Sequence, residues 1–159
     1  MMSAGLFCLI SYKREGFKMV EYKEMKLIDD ADLRPLYESV GWVSYTNQVS
    51  DLSRLLAASQ LVYAAWDASK LVGLIRTVGD GISIQYVQDL LVMPAYQKQG
   101  IGSELLKRVM EASKDIRQLV LITDGEDENK AAIAFYKKHG LQTFEETKIC
   151  GLWRSGALG

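Results

Sequence analysis

The 159-residue sequence predicts an α/β protein: one mixed sheet with helices packed against it. Three observations lead there. Apolar runs of strand length recur at 61–66, 71–78, 82–93 and 119–123, and turn residues close the gaps between the first three. Between the last two runs lies a stretch of helical period. There Leu105, Leu106, Val109, Met110 and Ile116 make an apolar stripe, and Glu104, Lys107, Arg108, Glu111 and Lys114 make the polar face. Finally, no long linker, repeat or low-complexity tract divides the chain, so a single domain is expected.

The elements follow in order. Residues 20–26 alternate as a first strand, marked by Val20, Tyr22, Lys23 and Met25 with Leu27 beyond. Asp29, Asp30 and Asp32 offer N-cap oxygens to a helix over 33–39. A second helix is predicted over 47–59, where Leu52, Leu55 and Leu56 share a face. The run 61–66 is too short for a helix and reads as a strand, joined to 71–78 by the hairpin loop Asp67-Ala68-Ser69-Lys70. Gly79-Asp80-Gly81 tolerate the positive φ of a second turn. The strand 82–93 must stop pairing at Pro94, which has no N–H to donate. After the amphipathic helix come the short strand 119–123, an acidic loop, a helix over 130–138, and two strands around 143–148 and 150–153.

Composition excludes several functions. With 19 basic and 20 acidic residues and a formal net charge of −1, no global field favours nucleic acid or an anionic membrane. Cys8 and Cys150 have neither CxxC spacing nor the density of a disulfide scaffold, which suits a reducing compartment. The apolar stretch 4–10 is too short to span a bilayer and has no basic region before it, so the chain reads as cytoplasmic. The lone His139 follows Lys137 and Lys138 and precedes Gly140, a helix C-terminal pattern, and a single histidine argues against a metal site.

Gly100 and Gly102 stand where the amphipathic helix begins, in Gln97-Lys98-Gln99-Gly100-Ile101-Gly102-Ser103. A helix start carries unpaired N–H groups and partial positive charge, and glycines let an anion approach them. The other use open to the pair is to relieve strain in a strand-to-helix turn. A dinucleotide fingerprint requires a third glycine at position 105, which is Leu105, and GxxxxGK[ST] occurs nowhere.

Two segments carry a resemblance. DLLVMPAYQKQGIGSELL, residues 89–106, is similar to the acetyl-CoA-binding motif of the GNAT superfamily of N-acetyltransferases, with Gln97 where arginine is commoner. NKAAIAFYKKHGL, residues 129–141, resembles the family's Asn-x-x-Ala-x-x-Phe-Tyr-x-x-x-Gly-Phe and departs from it at Leu141. The resemblance implies the GNAT fold: a single mixed, mostly antiparallel sheet flanked by helices on both faces and splayed between the fourth and fifth strands. It implies acetyl-CoA as cosubstrate and no metal. Backbone groups of Gln99, Gly100, Ile101, Gly102 and Ser103 would hold the pyrophosphate within the motif that Gln97 and Lys98 open, and Leu91, Val92 and Met93 would bond the acetyl and pantetheine end. Asn129, Ala132 and Tyr136, three and four apart, share a stripe that can face the cofactor. Residues 19–159 would be the acetyltransferase domain and 1–18 an N-terminal extension.

The chemistry then requires two proton movements: an alkylammonium must lose a proton to attack, and the departing thiolate gains from receiving one. Tyr136 is the candidate acid by the resemblance; by position alone it also fits a buried aromatic with a satisfied hydroxyl. The family's base positions fall on Tyr86 and Gln88, neither a good base, so proton loss is expected through water held by these two and by backbone carbonyls. Asp89 should face away from Gln88 unless the strand bulges. The segment 41–46 would line the acceptor pocket, although Trp42 and Tyr45 equally fit core anchors. The loop Asp124-Gly125-Glu126-Asp127-Glu128 would be a solvated connection or an attractor of cationic amines. The expected activity is acetyl transfer from acetyl-CoA to the primary amine of a small molecule, by direct attack in a ternary complex. A protein or peptide N-acetyltransferase and a non-catalytic acyl-CoA-binding module are the alternatives. No nucleic-acid or membrane partner is expected, and the protein would be a monomer or homodimer.

Overall fold

A computed structural model of the protein describes residues 19–123 and 130–152. Among them, five strands form one sheet in chain order: β1 (Val20–Glu24), β2 (Leu61–Asp67), β3 (Lys70–Gly79), β4 (Ile84–Val92) and β5 (Gln118–Leu121). The first four pair antiparallel and β5 joins β4 in parallel. β3 reads as the central strand because Leu71 to Thr77 are buried without interruption, the pattern of a strand covered on both faces. The expected hairpin turn joins β2 to β3, with Ala68 in the left-handed region at φ 52°.

The sheet carries helices on both faces. α1 (Asp30–Ser39) covers one face through Leu33, Leu36 and Tyr37, all fully buried. α4 (Ile101–Ala112) lies on the other face with Ile101, Leu105, Leu106 and Val109 buried, which is the predicted stripe. Its approach requires Gly73 on β3, where an added Cβ would stand 3.0 Å from Ile101 Cγ2 and 3.2 Å from Leu105 Cδ1. On β3, therefore, Gly73, Ile75 and Thr77 face α4, while Leu74 and Arg76 face α1.

Three sequence expectations are corrected. The helix expected over 47–59 is two short helices, α2 (Val43–Gln48) and α3 (Ser53–Ala57). Val49 turns extended, and the Asp51 carboxylate takes the Ser53 N–H at 3.0 Å, so Asp51 starts a second helix instead of continuing the first. The strand expected from residue 82 starts at Ile84, because Asp80 Oδ1 captures the N–H groups of Ile82, Ser83 and Ile84. The C-terminal strands are not formed among the described residues. Instead α5 (Lys130–Lys138) is followed by α6 (Phe144–Thr147), started by a capping box between Thr143 and Glu146. The N-cap oxygens expected for α1 also behave differently. Asp29 makes no side-chain cap, and Asp30 is turned to a bidentate pair with Arg34, whose Nη1 donates to Thr46 O at 2.9 Å and ties α1 to α2.

The expectations for residues 1–18, the acidic loop 124–128, Asn129 and Trp153 lie outside the described residues. Among the described residues no helix is long and apolar enough to cross a membrane, and no group of three or more His, Cys, Asp or Glu could hold a metal ion.

Candidate active site

The site begins with a fault in β4. Against β3, Arg76 pairs with Asp89 while Thr77 pairs with Val87, so Gln88 is an extra residue on β4: a β-bulge. Pairing with β5 ends at the same place, at Val87 opposite Leu121. Beyond Val87 no strand among the described residues lies beside β4 on the β5 side, and the sheet splays between its fourth and fifth strands.

Backbone alternation decides which groups line that edge. The Met93 N–H donates to Val72 O at 2.9 Å and its C=O accepts from Tyr96, so both Met93 groups are engaged. In an antiparallel ladder every second residue shares that direction, which turns Leu91 toward β3 and leaves Leu90 and Val92 facing the open side. Val92 O meets Gln97 Nε2 there at 3.0 Å.

The open edge runs to the N-terminus of α4. Gly100 is the N-cap with φ 85°, a left-handed conformation in which a side chain would be strained. Among the described residues no side chain caps this helix, and its first bond runs from Glu104 N–H to Gly100 O at 3.0 Å. The N–H groups of Ile101, Gly102 and Ser103 precede that ladder and carry the positive end of the helix dipole. Gly102 differs from Gly100. A Cβ there would meet Phe135 and Val92 at 3.7 Å, ordinary contact, but it would bridge the gap between α4 and the open edge.

That gap is a cleft of about 430 Å³ lined by Leu90, Val92, Tyr96, the loop 97–103 without Gln99, and Ala131, Ala132, Phe135 and Tyr136 of α5. Of the residues predicted to contact the cofactor, Val92, Gln97, Lys98, Gly100, Ile101, Gly102, Ser103, Ala132 and Tyr136 are in this lining. Leu91 and Met93 are buried in the core, and Gln99 is exposed with Nε2 donating to Ala95 O at 3.2 Å. Leu90, Tyr96, Ala131 and Phe135 were missed. Leu90 was reachable from Val92 two residues on, and Phe135 from Ala132 three residues before it on the same helix face.

Tyr136 reaches the cleft half-buried, its ring edge-on to Phe135 at 5.2 Å, and burial pushes its phenol above the usual value. The other two proposed catalytic residues are not brought to it. Tyr86, paired with Val78, lies on the α1 face, and Gln88 is exposed at the bulge; neither lines the cleft. On the α1 side of the bulge, Asp89 is 2% exposed; its Oδ2 accepts from Tyr37 Oη at 2.7 Å and pairs with Arg76 Nε. Arg76 Nη2 also donates to Tyr45 Oη at 2.9 Å. Burial, with the Asp89 carboxylate second, raises the Tyr37 and Tyr45 phenols. Tyr45 stacks on Tyr37 with centroids 5.7 Å apart, and Trp42 meets both edge-on, so the segment 41–46 is anchored on α1. His139 Nδ1 lies 2.8 Å from Phe135 O, which makes Nδ1 the protonated nitrogen and His139 a cap on the end of α5.

The model of the GNAT acetyltransferase domain matches residues 58–143, from just before β2 through the cleft to α5. The chain belongs to the GNAT acetyltransferase family. A solved structure from Streptococcus pneumoniae, described as a GNAT-family acetyltransferase, superposes with a TM-score of 0.74 at 34% identity, over 87% of this chain and 99% of that one. A Prochlorococcus marinus protein described as an uncharacterized N-acetyltransferase, ycf52-like, is 27% identical over 83% of this chain and 73% of its own length. A bovine thialysine N-epsilon-acetyltransferase is 38% identical over 68 residues, which are 40% of this chain and 37% of that protein. The open β4 edge and the α4 N-terminus of this GNAT domain both fall inside the matched residues.

Proposed function

We propose that this GNAT domain transfers an acetyl group from acetyl-CoA to the primary amine of a small molecule, by direct attack in a ternary complex. The observation that carries the reading is the juxtaposition of the open β4 edge with the uncapped start of α4 in one cleft. Coenzyme A has an anionic pyrophosphate and an arm of amides. The first fits the N–H groups of Ile101, Gly102 and Ser103, and the second fits the strand-like pairing offered by Leu90 and Val92. Gln97 holds Val92 O meanwhile and would yield it to the arm. Lys98 lines the same cleft and adds a cation near the phosphates.

When bound, acetyl-CoA supplies an activated acyl group and a sulfur leaving group. The neutral amine nitrogen bonds the acyl carbon as the carbon–sulfur bond breaks. The sulfur takes a proton from an acid in the cleft, and the nitrogen, cationic once bonded, gives up one of its own, which restores that acid. Tyr136, which lines the cleft, is the proposed donor; its phenol is protonated at neutral pH with or without the upward shift that burial gives it. An ammonium acceptor loses its first proton earlier, to solvent water, because Tyr86 and Gln88 do not line the cleft. With donor and acceptor held together, orientation supplies much of the rate. The bovine relative, named for acetylating thialysine, supports a small amine as the acceptor.

The test is release of free thiol from acetyl-CoA by purified protein across a panel of diamines, amino acids and peptides. Turnover with one or more small amines is expected. Turnover with peptides alone would move the acceptor to proteins, and tight acetyl-CoA binding without turnover would leave an acyl-CoA-binding module.

A further inference from the structure

The bulge that opens the cleft is not explained by the residues that line it. Without it, pairing would continue from Thr77–Val87 to Arg76–Gln88, Ile75–Asp89 and Leu74–Leu90, one residue out of the observed register. Two consequences follow. Asp89 would move to the α4 face, beside Ile75 and near the fully buried Leu105 and Leu106, while Arg76 would remain on the α1 face with Tyr45. Because the backbone alternates with the same period, Leu90 and Val92 would turn into the β3 ladder, and Leu91 and Met93 would turn outward.

The buried charges also lack a reason in stability. Arg76 is 5% and Asp89 2% exposed, and Asp89 Oδ1 is buried with no hydrogen-bond partner among the described residues. An ion pair taken out of water with an oxygen unsatisfied is no better for stability than apolar residues of similar size. What the pair does distinguish is register, since only the bulged register puts the two charges on one face, directly opposite each other.

We infer that the Arg76–Asp89 pair, held by Tyr37 and Tyr45, is a register lock: it fixes the β4 bulge at Gln88 and so aims the Leu90 and Val92 backbone at the acyl donor. Arg76 and Asp89 are positioning residues that act through the strand. The lock's effect on ligand binding rests on the proposed acetyl-CoA reading, but the register itself can be measured without any ligand.

The decisive variant is the apolar double replacement Arg76→Met with Asp89→Leu, which strands no charge in the core. Cross-strand backbone contacts between β3 and β4, read by nuclear magnetic resonance, report the register. The expected result is a folded protein in which the Arg76–Asp89 backbone pairing is replaced by, or mixed with, pairing of residue 76 to Gln88. Acetyl-CoA affinity should fall about ten- to a hundredfold, as expected for two lost backbone hydrogen bonds. Native pairing with full affinity would show a merely packed pair and overturn the lock. If wild-type protein itself fails to bind acetyl-CoA, the proposed function falls while the register outcome still decides the lock. Asp89→Asn covers the case in which the double variant does not fold. It keeps the shape and removes the charge, and it should speed amide exchange of Asp89 and Leu91 selectively over the β2–β3 amides. Equal change in both ladders, or none, would overturn the proposal.

Discussion

Gly100 and Gly102 stand two residues apart and are glycines for different reasons, so the same substitution should act oppositely at the two. At Gly100 a Cβ meets nothing within 4 Å, and the obstacle is φ 85° alone. Alanine there should cost about 1–2 kcal/mol of left-handed strain, or a Tm lower by roughly 2–8 °C for a domain of this size. At Gly102 the φ is not positive, and the added methyl finds Val92 and Phe135 at 3.7 Å, a contact without a clash. Alanine in place of glycine in a helix is worth up to about 1 kcal/mol, so Tm should rise by about 1–4 °C. The same methyl stands at the proposed pyrophosphate site, between the cleft and the α4 amides, so acetyl-CoA affinity should fall at least about tenfold, or 1.4 kcal/mol. Gly102→Asp adds a like charge. At ~5 Å and an effective dielectric of ~20 its repulsion from one phosphate charge is ~3 kcal/mol, a further factor of about 200, while the helix start itself tolerates an acid. Thermal denaturation and calorimetric titration with acetyl-CoA read both quantities on one sample. A Gly102→Ala protein that is less stable than wild type, or that binds acetyl-CoA as well, would refute this account of the motif.

Other consequences can be checked in the same way. Tyr136→Phe removes the proposed acid and should lower kcat by about 10²–10⁴-fold with acetyl-CoA affinity unchanged; steady-state kinetics beside calorimetry decide it, and undiminished turnover would exclude Tyr136 from the chemistry. Leu106→Ala empties a fully buried position under α4 and should cost about 2–5 kcal/mol, seen in denaturant unfolding. The Lys137 ammonium and then the Thr143 amide hold the Glu146 carboxyl down at about 2, against 4.5 for a free glutamate. Its folded value is the lower one, so its stabilisation of the α6 cap is present above about pH 4.5 and disappears as pH falls through about 2. Amide exchange in α6 should follow that window in wild type and lose the pH dependence in Glu146→Gln.

The parts of the fold set by local chemistry were legible in the sequence. The α4 stripe, the β2–β3 turn and the stop at Pro94 each depend on residues close together in the chain. The short C-terminal helix was legible too, through Thr143 and Glu146 three apart, but the apparent alternation around them competes with the capping box. The break at Val49 to Asp51 was harder to see, because Leu52, Leu55 and Leu56 make one apolar face whether or not the helix is continuous. The candidate site divides along the same line. Gly100, Gly102, Ala132 and Tyr136 follow from the resemblance to the family's two motifs, and the cleft contains them. The bulge at Gln88 does not follow, because it is a relation between Arg76 and Asp89 on different strands, and no window on either strand contains it. That bulge also makes Leu90 and Val92 the free edge in place of Leu91 and Met93.

The central claim is that one cleft binds acetyl-CoA between the open β4 edge and the start of α4. Titration of isotope-labelled protein with acetyl-CoA, followed amide by amide, tests it most directly. The account predicts saturable shifts and slowed exchange concentrated at Leu90, Val92, Ile101, Gly102 and Ser103, with the β2–β3 amides unmoved. Saturable binding that leaves those five amides unchanged, or no binding at millimolar acetyl-CoA, would contradict it.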